Sequence, residues 1–200
     1  NSAWEGTFAG ARTFVVLYVT IGLGESLSTS STVLAAVAGG YIVAALVAGP
    51  LGDRFGMARV IVGASLVYGF GLLGGGLATE WHAWYLSIIF FVAIAGGAVM
   101  TLAWGLLFKL MPAGDRGAVA GLATTTKGIG LVIGPLLAGA AIDVLRGPLG
   151  ETGGYQALWP ILGVPILLVV PLAWSLVRAE SAADRLARSQ EPEAPHLTAD

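Results

Sequence analysis

The chain has 200 residues, 56% of them hydrophobic and only 11% charged, where soluble domains carry about 25% charged residues. A mean hydropathy of +0.82 and a net charge of −2 exclude a soluble domain with an ordinary polar surface and leave no basic footprint for nucleic acid. The absence of cysteine excludes a disulfide framework and any thiolate metal centre.

Six apolar segments follow one another, at or near the ~18–20 residues that a spanning helix needs. The first runs from about Trp4 to Leu23 and carries Glu5 and Arg12. No charged leader with a cleavage site precedes it, which speaks against a signal peptide. A chain that opens on Asn1 reads as a piece of a longer protein, beginning inside a helix. Glu25 to Thr32 is a polar loop that supplies the next N-cap. The second segment is Val33 to Leu51, and the third is Val60 to Ala78, closed by Thr79-Glu80-Trp81-His82. The fourth is Ala83 to Phe108, with Trp84 and Tyr85 as interface anchors. After a short polar loop, Lys109 to Asp115, the fifth runs from Gly117 to Leu145. The sixth, Tyr155 to Val177, contains Pro160, Pro165 and Pro171, which a membrane helix tolerates when neighbours satisfy the freed carbonyls. Residues 179–200 form a polar tail, helical briefly near Leu186 and then disordered. Runs of this length lack the alternation of barrel strands, so the segments are helices. Small-xxx-small pairs at Gly71/Gly75, Gly117/Gly121 and Gly130/Gly134 offer close packing faces.

Between the second and third segments lies Gly49-Pro50-Leu51-Gly52-Asp53-Arg54-Phe55-Gly56-Met57-Ala58-Arg59. It reads as a tight charged hairpin at a membrane surface. Gly49 and Gly52 permit close backbone approach, and Gly56 permits a positive φ that closes the turn. Asp53 can pair with Arg54 or Arg59, or sit at a helix N-terminus. Six crossings place Arg54, Arg59, Lys109, Arg116, Arg178, Arg185 and Arg188 on one side and Arg146 alone on the other. The positive-inside rule makes the hairpin side and the C-terminus cytoplasmic.

Gly69-Phe70-Gly71-Leu72-Leu73-Gly74 matches a dinucleotide fingerprint only by spacing, since it lies inside an apolar run with no strand before it. No phosphate loop, zinc-protease motif or other catalytic constellation is present, so neither an enzyme, a cofactor nor a metal site is expected.

The hairpin resembles the glycine/Asp-Arg/glycine/basic loop signature of the major facilitator superfamily. A second stretch, Met111-Pro112-Ala113-Gly114-Asp115-Arg116-Gly117 continuing to Gly134-Pro135-Leu136-Leu137-Ala138-Gly139, resembles that family's eleventh helix and the loop before it. The resemblance covers about residues 4–178. It implies the C-terminal six-helix half of a secondary transporter, an all-α polytopic bundle whose N-terminal half is missing. It implies alternating access, commonly driven by protons, with Gly49, Gly52, Asp53, Arg54, Gly56 and Arg59 as a gating loop. Where the family loop often ends in several basic residues, Met57 and Ala58 leave Arg59 alone, which implies a weaker electrostatic latch to the other half.

Charges inside the spans are functional candidates. Glu5 and Arg12 share one helix face two turns apart, so Glu5 is either a partner of Arg12 or a protonatable carboxylate. Lys127 lies ten residues past Gly117, about 15 Å along the axis, near the midplane of a ~30 Å core. It is either half of an interhelical ion pair or a group linked to substrate or protons. Tyr18 and Trp104 are candidates to line a cavity. Thr124 to Thr126 either bond a ligand or bond back to carbonyls one turn earlier. Asp143 reads as an interface or capping group. The resulting expectation is a transporter of a small solute in the plasma (inner) membrane, with the bilayer and a missing half as partners. The alternative is a non-transporting six-helix scaffold or receptor, or a self-dimerising pore.

Overall fold

The computed structural model describes residues 1–112 and 114–190. The described chain is helical, with no strand among those residues. Its helices are α1 (Ser2–Leu17), α2 (Leu27–Phe55), α3 (Met57–Gly75), α4 (Tyr85–Leu110), α5 (Arg116–Leu145) and α6 (Leu158–Gln190). A π-helical turn, Tyr18–Gly22, prolongs α1, and two 3₁₀ turns, Gly150–Thr152 and Tyr155–Ala157, precede α6. Five helices are long and apolar enough to cross a membrane by themselves. The sixth, α1, has 16 residues and reaches spanning length through its π-helical continuation.

The helix ends depart from the sequence expectation in three instructive places. Ser26 caps α2, its hydroxyl accepting from Thr29 N at 3.1 Å, so helix begins at Leu27 rather than near 33. The Ser/Thr run fits inside the helix because Ser31 and Thr32 donate back to Leu27 O and Ser28 O. The charged hairpin is shorter than expected: α2 continues to Phe55 and α3 starts at Met57, with Gly56 at φ +90° as the whole turn. The polar stretch after Val177 is no tail at first, since α6 continues unbroken to Gln190. The remaining residues, 191–200, lie outside the described part.

Packing follows an internal symmetry. The principal pairs are α2 with α4, α1 with α5, α3 with α6, α3 with α4, and α1 with α6. Exchanging α1–α3 for α4–α6 maps this set onto itself. An odd number of crossings separates the two triplets, so they run in opposite senses, as in an inverted repeat.

Glycine makes the closest of these contacts. A Cβ on Gly134 of α5 would strike the carbonyl oxygen of Gly6 on α1. One on Gly130 would lie 2.5 Å from Ser2 O and 3.0 Å from Glu5 Cβ. The Gly130/Gly134 pair is thus a real packing face. Gly71 meets Val92 and Gly75 meets Trp159, whereas Gly117 and Gly121 have nothing within 4 Å. Near Pro165, Thr7 of α1 donates to Leu162 O of α6 at 2.9 Å and ties the two helices together.

Candidate functional site

Two polar constellations stand out, one at the hairpin end of the bundle and one deep between α1 and α5. The first centres on Glu180, in the polar stretch beyond Val177. Its side chain is only 5% exposed. It accepts from Met57 N at 3.0 Å and Ala58 N at 2.9 Å, the first free amides of α3. Lys109, in the last turn of α4, donates to it at 2.9 Å and lies 2.9 Å from Asp184. One carboxylate therefore ties the ends of three helices together. The arrangement follows helix electrostatics, with an anion at the N-terminus of α3 and a cation at the C-terminus of α4.

The local sequence explains why Glu180 arrives there. Buried positions on α6 recur at Ile166, Ala173 and Glu180, seven residues apart, so Glu180 continues the apolar stripe that packs on α3. Gly56 completes the fit, for a Cβ there would lie 3.4 Å from Glu180 Oε2 at a backbone angle few side chains adopt. Ala58 is 1% exposed, which leaves no room for a basic side chain. The departure of Met57-Ala58 from the basic loop pattern is the complement of Glu180, which binds the backbone there instead.

The remaining hairpin residues divide. Gly52 is packed, a Cβ there meeting Leu102 and Met57, while Gly49 has nothing within 4 Å and so makes no close approach in this chain. Asp53 lies in the last turn of α2 and is exposed, as are Arg54 and Arg59. None of the three forms an ion pair among the described residues, so the expected pairing of Asp53 with a neighbouring arginine is not observed. The helix N-terminus offered to Asp53 is occupied by Glu180. Arg54 instead stacks over Phe55, 5.2 Å from the ring centroid. These groups and Lys109, Ser181, Asp184 and Arg185 line a cleft of about 570 Å³.

The second constellation is an ion pair between Lys127 Nζ and Glu5 Oε1 at 3.5 Å. Glu5 is buried and the Lys127 side chain is 40% exposed. The sequence offered Arg12 as the partner of Glu5. The structure corrects this, because the crossing at Gly6 and Gly134 brings α5 against that face of α1, and Lys127 stands one turn before Gly130. Arg12 is exposed and makes no ion pair among the described residues. Around the pair, Ser2 Oγ donates to Thr126 O at 2.8 Å and Asn1 Nδ2 to Ala123 O at 3.0 Å. Thr124 and Thr125 are exposed, and their hydroxyls bond back to Ala120 O and Gly121 O.

Tyr18 and Trp104 stand apart from this pair. The Tyr18 hydroxyl closes the far end of α3 by donating to Gly75 O and Ala78 O at 3.2 and 2.9 Å, and its ring sits edge-on to Trp159. Trp104 lies within two turns of the C-terminal end of α4, against Phe108. Asp143 pairs with Arg146 at 3.4 Å on the exposed far end of α5.

The decisive comparison is with protein families, where the sequence profile of the Major Facilitator Superfamily matches residues 6–199. This chain belongs to that superfamily. It is an integral membrane protein with six α-helices among the described residues, and its relatives are transporters by name. It is 30% identical over 175 residues to the MFS-type transporter Rv1877 of Mycobacterium tuberculosis, itself described as uncharacterized, covering 88% of this chain and 23% of the relative. It is 29% identical over 204 residues to the 4-hydroxybenzoate transporter PcaK of Pseudomonas putida, covering 98% of this chain and 44% of PcaK. A D-xylose transporter of Levilactobacillus brevis is 29% identical over 117 residues, 58% of this chain and 24% of its own length. The chain thus spans less than half the length of these relatives. No solved structure matches it significantly.

Proposed function

We propose that this facilitator chain is the C-terminal half of a secondary transporter that carries a small solute by alternating access, coupled to protons. The observation that carries the reading is the Glu5–Lys127 pair, which crosses between α1 and α5 about 16 Å along α5 from its start, with its cation still partly open. Charges at that depth are costly and characteristically mark solute or proton pathways. The relatives named for an aromatic acid and a pentose support a small organic solute. Their greater length supports a further six-helix half as partner. The bias of basic residues supports a hairpin and C-terminus in the cytoplasm, and hence the plasma (inner) membrane.

In this reading Glu5 carries the coupling proton, as the one carboxylate at that depth among the described residues, and Lys127 holds its charge when the proton is absent. The Glu180 clamp fixes the hairpin, so that Asp53, Arg54 and Arg59 are presented to the other half as a gate. Lys127→Ala in the complete protein is expected to lower uptake per folded transporter at least tenfold, because it strands a buried carboxylate at the site. Uptake at the normal rate removes Lys127 from the pathway, and uptake indifferent to a pH gradient removes the proton. Asp53→Asn is expected to slow transport severalfold while insertion and thermal stability stay unchanged, since the Asp53 side chain makes no ion pair or hydrogen bond among the described residues. Transport at the parental rate would contradict its role in the gate.

A further inference from the structure

We infer that the solute is an anion, and that Arg12 is the group that anchors its carboxylate or equivalent acidic end. The inference rests on the transport reading and names the substrate class of that same site. Gly10 packs against Gly134 and Phe14 against Gly139, so Arg12 sits at the level of α5 between those two glycines. This is about 12 Å short of the far end of that helix, in its interior rather than its last turn. Between the two ends of the bundle, the charged side chains among the described residues are Glu5, Arg12 and Lys127. Glu5 is 4% exposed and engaged by Lys127, so it offers nothing to a cation. Lys127 is 40% exposed at its side chain, and Arg12 is exposed with no ion-pair or hydrogen-bond partner among the described residues. The charge that this chain presents to an incoming solute is therefore positive.

A guanidinium facing lipid is costly, which favours turning Arg12 toward the seam. It lies two turns along α1 from Glu5, on the same stripe, and Glu5 faces α5. Arg12 and Lys127 thus line one edge of the α1–α5 seam about 14 Å apart along the axis. A planar fork of five donors suits a carboxylate bidentately.

The test uses the complete protein, purified in detergent, with benzoate, acetate and butyrate beside the matched alcohols and ammonium ions. Thermal shifts are read for the parent, R12Q and R12K, followed by counterflow of any solute that binds. Carboxylates alone are expected to stabilise the parent, with apparent affinity falling about tenfold or more in R12Q, as loss of a charge-assisted bidentate pair implies, and partly restored in R12K. Shifts from ammonium ions or alcohols that survive R12Q, equal carboxylate shifts in parent and R12Q, or no shift from any carboxylate would each overturn the anion assignment. So would an R12Q protein that fails to fold while R12K folds and keeps no preference for carboxylates. Counterflow of a cation or neutral solute would leave the transporter reading standing without the anion. Failure of every solute class to bind or move would count against both.

Discussion

Gly134→Leu is expected to prevent the α1–α5 pair from closing and to leave little folded protein. The reason is geometric. A Cβ at this position meets the carbonyl oxygen of Gly6, and Gly10 faces the Gly134 carbonyl from the same side, 3.3 Å from its own notional Cβ. The obstacle is backbone on both helices, so no rotamer change relieves it. In lipid, association depends on such close packing because burial of apolar surface between helices gives little drive. Gly134→Ala is the graded version and is expected to cost about 1–3 kcal/mol, the usual penalty for overpacking. The effect is read as lowered melting temperature and loss of the monodisperse peak in detergent. Gly117→Ala supplies the control. It lies on the same helix with nothing within 4 Å, and removing a helical glycine there is expected to be neutral or stabilising by up to about 1 kcal/mol. Equal behaviour of the two alanine variants would contradict the crossing. The same crossing sets the Glu5–Lys127 distance, so Gly134→Ala should also depress transport beyond its effect on yield.

The second large effect is at Glu180. Glu180→Ala strips two α3 amides and Lys109 of their acceptor at once. Breaking a buried ion pair costs about 3–5 kcal/mol, but Lys109 is 32% exposed and keeps Asp184, so a loss of about 2–3 kcal/mol is expected. The hairpin at Gly56 should become the first site of protease cleavage, because its anchor to α6 is gone. Glu180→Gln retains shape and one acceptor oxygen and should lose about half as much. A double-mutant cycle with Lys109→Met isolates the ionic part. An alanine variant with parental stability and an uncut hairpin would show that the clamp contributes nothing.

Much of this architecture is legible in the sequence, and the misses have physical causes. Length and hydropathy disclose the spans because lipid admits few alternatives to a helix. Lys127 stands out for the same reason, as a cation in an apolar run. Its partner does not, because Glu5 and Arg12 satisfy a same-face rule within one helix, while the true contact depends on how α5 crosses α1 at Gly6 and Gly134. Gly56 is found as the turn from chemistry alone. Gly49 and Gly52 look equivalent, yet only Gly52 faces a neighbour. Glu180 is missed because Ala179, Ser181 and Ala182 read as polar tail. The available signal was the seven-residue continuation of the buried stripe from Ile166 through Ala173, together with good helix formers beyond Val177.

Alternating exposure of the α1–α5 seam is the claim from which the transport reading derives. Its most direct measurement is labelling of a single cysteine at Thr125 in the complete protein, in a background free of other cysteines and reconstituted in sealed vesicles. An impermeant maleimide is applied from either side, with Ala183→Cys as the reference for the hairpin face. Position 125 should react from both sides in proportions that shift when a transported solute is added, while position 183 reacts from one side only. Reaction at 125 from a single side whatever the solute, or from neither, would contradict the account.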